Sequence, residues 1–291
     1  ILQKDPKKGQ NIHQKGRDRR AGDVLISAGK RLGPTEISLA AAVGKTHFLV
    51  KKRPRVVVIS SGDELVDAHE TPLDFQIRRS NNYAIQAVLK NRGIACELRH
   101  VTDDLEKVRV EMADCLQNFD AVIVSGGVSA GKFDHVPAAL ESCGVKKLFH
   151  KVRQRPGKPF WFGVFPYSSN STNSTNSTNS TNSTIFALPG NPVSTFMCLV
   201  RYFLPWLDGG MVRAEFAILT ENLHFEPPLD YFLQVKLRSD ETGRLLASPI
   251  AGNGSGDFAN LLEADGFLEL PGAERSDFGA GECFRVWRYR F

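Results

Sequence analysis

Arg55-Val56-Val57-Val58-Ile59-Ser60 and Ala121-Val122-Ile123-Val124 decide the fold. Both are continuous apolar runs rich in β-branched residues, the pattern of a strand covered on both faces. Around them the chain alternates strand with helix. A helix is expected from Asn81 to Asn91, with Ser80 as its cap and Gly93 as its stop. A strand near 94–101, a helix near 104–117, a helix near 136–142 and strands near 147–152 and 159–165 continue the alternation. Ile185-Phe186-Ala187-Leu188 forms a last short strand and feeds a helix from Pro192 to about Leu207. This order predicts an α/β fold with a doubly wound, mostly parallel sheet over about 51–208.

The flanks differ in character. Residues 1–50 begin basic and polar and form a linker segment, with one helix opening at Pro34-Thr35-Glu36, running to Val43 and stopped by Gly44. Residues 209–291 lose helical periodicity and break into short strands at 214–220, 231–238, 244–249, 266–270 and 282–290, with 258–263 briefly helical. A small all-β barrel or sandwich is expected there. Between the apolar pieces 159–165 and 185–188, the triplet Asn-Ser-Thr repeats from Asn170 to Thr184. With no apolar residue to bury, 168–184 is expected to be a disordered hairpin tip. Each triplet also matches the N-glycosylation acceptor pattern, but no secretory signal is visible, so modification is not expected.

Composition sets further bounds. A chain of 291 residues has room for about two domains. With 42% hydrophobic and 24% charged residues, it can bury a core without disulfides or a structural metal. Net charge is 37 − 32 = +5, which suits an anionic small molecule and falls short of a nucleic-acid footprint. No apolar run is long enough to span a bilayer. Cys96, Cys115, Cys143, Cys198 and Cys283 show no C-x-x-C spacing and are expected to be buried free thiols of a reducing compartment. The seven scattered histidines contain no H-E-x-x-H, so a zinc enzyme has no support. The opening Ile1-Leu2-Gln3-Lys4 lacks a methionine and a targeting segment, which suggests a fragment of a longer, cytoplasmic protein.

Ligands of such sheets bind outside the carboxyl ends of the strands, and four loops sit there. Ser60-Ser61-Gly62-Asp63-Glu64-Leu65 offers two adjacent carboxylates that could hold a hard cation or simply make a turn. In Val101-Thr102-Asp103-Asp104, capping of the following helix is the simpler role for an Asp. Ser125-Gly126-Gly127-Val128-Ser129-Ala130-Gly131-Lys132-Phe133-Asp134 lets backbone amides approach an anion, with hydroxyls and Asp134 behind them. Arg155-Pro156-Gly157-Lys158-Pro159 supplies two cations held by prolines. Leu188-Pro189-Gly190-Asn191-Pro192-Val193-Ser194 places Gly190, Asn191 and the Ser194 hydroxyl at a helix start whose amides face an anion. Together these groups describe a site for a phosphorylated or oxyanionic substrate with Mg²⁺.

The order S-G-D-E-L, S-G-G-V-S-x-G-x-x-D, P-G-K-P and L-P-G-N-P-V-S resembles the MoeA/gephyrin family of molybdopterin molybdenumtransferases. The segments Gly9-Gln10-Asn11-Ile12 and Ala21-Gly22-Asp23 before the sheet are similar to that family too. So are Gly254-Ser255-Gly256-Asp257 and Gly266-Phe267-Leu268-Glu269-Leu270-Pro271 near the end. The resemblance implies a MogA-like central domain, a C-terminal β domain and a reaction. Adenylylated molybdopterin is hydrolysed with a divalent metal, molybdate enters the dithiolene, and molybdenum cofactor and AMP are released. It implies that Glu64, Asp104 and Asp134 act in metal binding or water activation, with Glu64 and Asp134 on Mg²⁺. Gly126, Gly127, Ser129, Arg155, Lys158, Gly190, Asn191 and Ser194 would hold pterin phosphate or molybdate.

The resemblance also implies a homodimer and a molybdopterin adenylyltransferase as partner. This sequence departs from the family where Arg155 stands for the usual lysine, where His13-Gln14 precede Lys15, and in lacking the family's inserted N-terminal domain. Arginine keeps the charge at position 155 and adds a planar donor fork. Two alternatives stay open: a molybdopterin adenylyltransferase, and a non-catalytic scaffold built on the same fold.

Overall fold

A computed structural model describes residues 7–128, 134–166, 182–210 and 213–290. The chain divides into two units, 1–52 and 53–291. In the first, helix α1 (Pro34–Ala42) opens on its proline and ends before Gly44, which takes a φ of +75°. Glu36 pairs with Lys30 at 2.8 Å and accepts from the Gly33 amide at 2.9 Å. The Lys30 ammonium and the Gly33 amide hold the Glu36 carboxyl down at about 2.

The second unit contains two larger sheets. The first is built from β1 (Val56–Ser61), β2 (Cys96–Val101), β3 (Ala121–Ser125), β4 (Lys146–His150), β5 (Trp161–Phe165) and β6 (Ser183–Leu188). They stand in the order β2-β1-β3-β6-β5-β4. The pairs β1–β2, β1–β3 and β3–β6 are parallel, and β5 runs antiparallel to both β6 and β4. The sheet is therefore mostly parallel. Alternate residues of β1 and β3 go to opposite faces. Val57, Ile59, Val122 and Val124 meet helices α3 (Leu105–Asn118) and α4 (Val136–Ser142). Val56, Val58 and Ile123 meet helices α2 (Ser80–Asn91) and α5 (Pro192–Cys198). Burial on both faces is why these strands carry no polar alternation.

Helix α5 continues through a π-helical turn, Leu199–Phe203, into a further α-helical turn, Leu204–Leu207. The wide turn ends two residues before Pro205, whose ring cannot sit under a regular i−4 carbonyl.

The second sheet closes on itself. Its strands β7 (Glu215–Leu219), β8 (Asp230–Ser239), β9 (Leu245–Pro249), β10 (Gly266–Leu270) and β11 (Cys283–Arg288) run in the order β9-β7-β11-β10-β8, and β8 returns to pair with β9. The region is thus a barrel, not a sandwich. Leu233 and Val235 fill its interior, while Phe232, Phe267 and Trp287 join the core shared with α5 and Phe186. Residues 258–262 form a single 3₁₀ turn.

Three expectations need correction. Ser80 is not a cap: it is the first helical residue, and Arg79 precedes it without a side-chain cap. Tertiary bonds fix that helix start, as Asn81 Nδ2 donates to Ser125 Oγ at 2.9 Å and to the Gly190 carbonyl at 2.7 Å. The Asn-Ser-Thr tract is not wholly outside the fold. Residues 167–181 lie outside the described residues, but Ser183 and Thr184 are buried in β6. Ser183 Oγ donates to the Phe119 carbonyl at 2.7 Å, and the Thr184 amide donates to Asp120 at 3.0 Å. Neighbours on both sides satisfy this polar backbone, so β6 extends backwards into a sequence with no apolar signal. All five cysteines are unpaired, but only Cys115 and Cys198 are buried; Cys96 and Cys143 are half-buried and Cys283 is exposed.

Candidate functional site

Glycines at the carboxyl ends of β1, β3 and β6 bring three strand-following loops together. Gly126 takes a φ of +97°, and a Cβ there would sit 2.6 Å from the Ser61 carbonyl oxygen. Gly127, at φ +67°, would place a Cβ 2.7 Å from Val136. Gly62, at φ +147°, leaves room for the Glu64 carboxylate, which folds back to 2.5 Å from where its Cβ would be. At Gly126 the obstacle is backbone, so only a residue without a side chain permits that approach.

The loops border a cleft of ≈ 1030 Å³ between the sheet edge and the barrel. That is the upper end of the roughly 300–1,000 Å³ usual for small-molecule sites. Of the residues singled out from sequence, Glu64, Gly126, Gly127, Asp134, Arg155, Lys158, Gly190, Asn191 and Ser194 line it. Ser129 lies outside the described residues. Asp104 is not on the cleft wall: its carboxylate accepts from the Lys107 amide at 2.9 Å and caps α3. Its neighbour Asp103 lines the cleft instead, accepting from Ser61 Oγ at 3.3 Å. Its own amide donates to Asp63 at 3.0 Å.

The cationic wall is the loop 154–159. Arg155 and Lys158 are exposed and have no acidic partner among the described residues, so their charge is available to an anion. The loop itself is held rigidly. Gln154 is buried, accepts from the Tyr202 hydroxyl and reaches the Gly157 carbonyl at 3.4 Å. Gly157, at φ +91°, packs against Cys198 so closely that a Cβ would lie 2.6 Å from its sulfur. Gln154–Arg155 also pair in parallel with Asp230–Tyr231 of the barrel. Burial pushes the Tyr231 phenol up, and the Arg155 guanidinium pulls it back down, so the two side chains share one field.

The helix start at Pro192 is less open than its motif suggests. The Val193 amide donates to the Ser255 carbonyl at 3.1 Å, and Asn191 Nδ2 donates to Ser255 Oγ at 2.8 Å. The Gly126 amide is taken by the Leu188 carbonyl at 3.1 Å. The barrel loop and the sheet therefore consume amides expected to face an anion. Ser194 remains, with a buried hydroxyl on the cleft wall.

The opposite wall was not found from sequence. His224, Phe225, Glu226, Tyr231, Phe232 and Gln234 face the cleft from the barrel. No local motif marks them, because their placement depends on how the barrel docks.

Oxygen ligands for a hard cation are present, since Glu64, Asp103 and Asp134 share the cleft. Among the described residues no three His, Cys, Asp or Glu side chains are grouped closely enough to cage a metal by themselves. That donor set fits Mg²⁺, which commonly takes one or two carboxylates and completes its shell with water and substrate phosphate.

Three family descriptions match the chain: the probable molybdopterin binding domain over residues 57–209, the MoeA C-terminal region (domain IV) over 217–289, and the MoeA N-terminal region (domain I and II) over 1–44. A molybdopterin molybdenumtransferase of Synechocystis sp. is 38% identical over 99% of this chain and 68% of its own length. The Bacillus subtilis protein of that name is 28% identical over 96% of this chain. The chain spans only 62% of the Bacillus relative's length. A solved molybdopterin biosynthesis MoeA protein from Pyrococcus horikoshii superposes with a TM-score of 0.75 at 26% identity, covering 97% of this chain and 66% of that one. On the Synechocystis match and the three domain matches, the chain belongs to the MoeA family.

Proposed function

We propose that the cleft binds adenylylated molybdopterin and molybdate and transfers molybdenum to the pterin dithiolene with release of AMP, in molybdenum cofactor biosynthesis. One observation carries the reading. Arg155 and Lys158, which have no acidic partner among the described residues, face the same cleft as the carboxylates Glu64, Asp103 and Asp134. Phosphate and molybdate are both tetrahedral oxyanions, and fixed cations with a buried hydroxyl suit either. Arg155 offers a planar fork, Lys158 a point charge, and Ser194 a donor from inside the wall.

Glu64 and Asp134 would hold Mg²⁺, with Asp103 beside them. Bound there, Mg²⁺ would neutralise charge on the phosphate oxygens. Asp134 lines the cleft, and in this reading it orients a water against the phosphoanhydride and accepts its proton. Asp104 is engaged as the cap of α3, whereas Asp103 is held by Ser61 and Asp63. A homodimer, a molybdopterin adenylyltransferase that supplies the substrate, and a cytoplasmic setting complete the reading. The barrel, matched to the MoeA C-terminal region, favours it over an adenylyltransferase of the single-domain kind.

The test is an assay with adenylylated molybdopterin, molybdate and Mg²⁺ that follows AMP release and cofactor formation. Asp134→Asn is expected to lower turnover by roughly a hundredfold or more while leaving the fold intact. Absence of product from the unaltered protein overturns the reading. Near-normal turnover in the variant removes Asp134 from the chemistry.

A further inference from the structure

The two walls of the cleft differ in kind. Charge gathers on the sheet side, whereas the barrel side is neutral and aromatic apart from His224 and Glu226. On that side one side chain is incomplete. Gln234 lines the cleft, its Oε1 is buried, and no hydrogen bond reaches it among the described residues. Leu233 and Val235 point into the barrel, so Gln234 shares the outer face of β8 with Phe232. Gly252 borders the amide: a Cβ there would lie 3.6 Å from Gln234 Nε2 and 2.6 Å from Asn260 Nδ2, so the Asn260 amide, which donates to the Ala251 carbonyl at 2.8 Å, takes the space a side chain would fill. At the Arg155 end, Tyr231 stacks on Phe225 with ring centres 4.2 Å apart and planes 6° from parallel.

Buried polar atoms in folded proteins are almost always paired, and an exception calls for a partner supplied from outside. A carboxamide pairs with a donor–acceptor edge such as that of a purine or a lactam. We infer that the barrel wall is a second subsite that receives a planar nitrogen heterocycle of the substrate and reads its hydrogen-bonding edge through Gln234. The inference rests on the proposed function, in which one ligand carries an anionic centre flanked by two such rings, pterin and adenine. The sheet side then holds the anion, and the barrel side selects what is attached to it.

The experiment is calorimetric titration of the full chain and of Gln234→Met with three separate probes: AMP, free pterin and molybdate. Methionine keeps the length of glutamine and removes both polar atoms. The expected result is a roughly tenfold loss of affinity for one of the two heterocycles, the scale of one buried hydrogen bond. Molybdate affinity and melting temperature should be unchanged. Loss confined to AMP assigns the subsite to adenine, and loss confined to pterin assigns it to the pterin. Equal affinity of both heterocycles for the two proteins overturns the inference, as does failure of the unaltered protein to bind either ring. If molybdate still binds in those cases, the oxyanion reading survives. Loss of molybdate binding together with the rings in Gln234→Met assigns the residue a structural role and overturns the inference as well.

Discussion

The sheet edge builds its side of the cleft from loops that directly follow buried strands, whereas the barrel builds its side from residues on the outer face of β8 and the loops around it. In the first case the position of each group follows from chain order. A strand ends, a glycine turns the backbone, and a polar residue emerges at the edge. In the second, Gln234 and Phe232 face the cleft only because the barrel closes and then packs Phe232, Phe267 and Trp287 against the core of the sheet. The sheet edge is thus a local property of sequence, and the barrel wall is a property of docking.

The largest effect is expected at the glycines of the sheet edge. Gly126→Ala must place a Cβ 2.6 Å from a backbone oxygen at a φ of +97°, which no rotamer change can relieve. A loss of about 3 kcal/mol or more is expected in chemical denaturation. Gly190→Ala is the control, since its Cβ would meet Gly126 Cα at an ordinary 3.6 Å. It should stay within about 0.5 kcal/mol of the parent. Equal losses at the two positions would show that the strand ends do not owe their closeness to Gly126.

Charge is the next lever. Lys158 is exposed and has no acidic partner among the described residues, so Lys158→Ala should leave stability unchanged. Molybdate affinity should fall roughly tenfold to a hundredfold, the range for a charge-assisted contact. Unchanged affinity in titration would remove the loop 154–159 from the anion wall.

The smallest effect concerns the end of the repeat tract. Ser183→Ala deprives the Phe119 carbonyl of a donor at 2.7 Å in a buried strand. It should cost about 1–2 kcal/mol, measured by thermal denaturation. A cost near zero would place Ser183 with the rest of the tract as a residue the fold does not need.

Some misassignments share a cause. Asp103 and Asp104 are adjacent and identical in kind, and which one caps α3 depends on where β2 stops and the helix begins. A shift of one residue exchanges their surroundings. Ser183 and Thr184 carry no apolar signal, yet they pair with β3 or its preceding residue on one side and with β5 on the other. The amides at Gly126 and Val193 looked open because their acceptors, Leu188 and Ser255, are more than 60 residues away in sequence.

What the amino-acid order determined alone is the parallel sheet and the chemistry along its rim. Doubly buried strands need unbroken apolar runs, and tight turns after them need glycine, so both leave a local trace. What only the tertiary structure decided is which carboxylate faces the cleft, which amides are already spent, and that a largely aromatic wall stands opposite the cations, carrying a Gln234 Oε1 with no hydrogen bond among the described residues. Those depend on contacts between distant segments, and distance along the chain carries no mark of nearness in space.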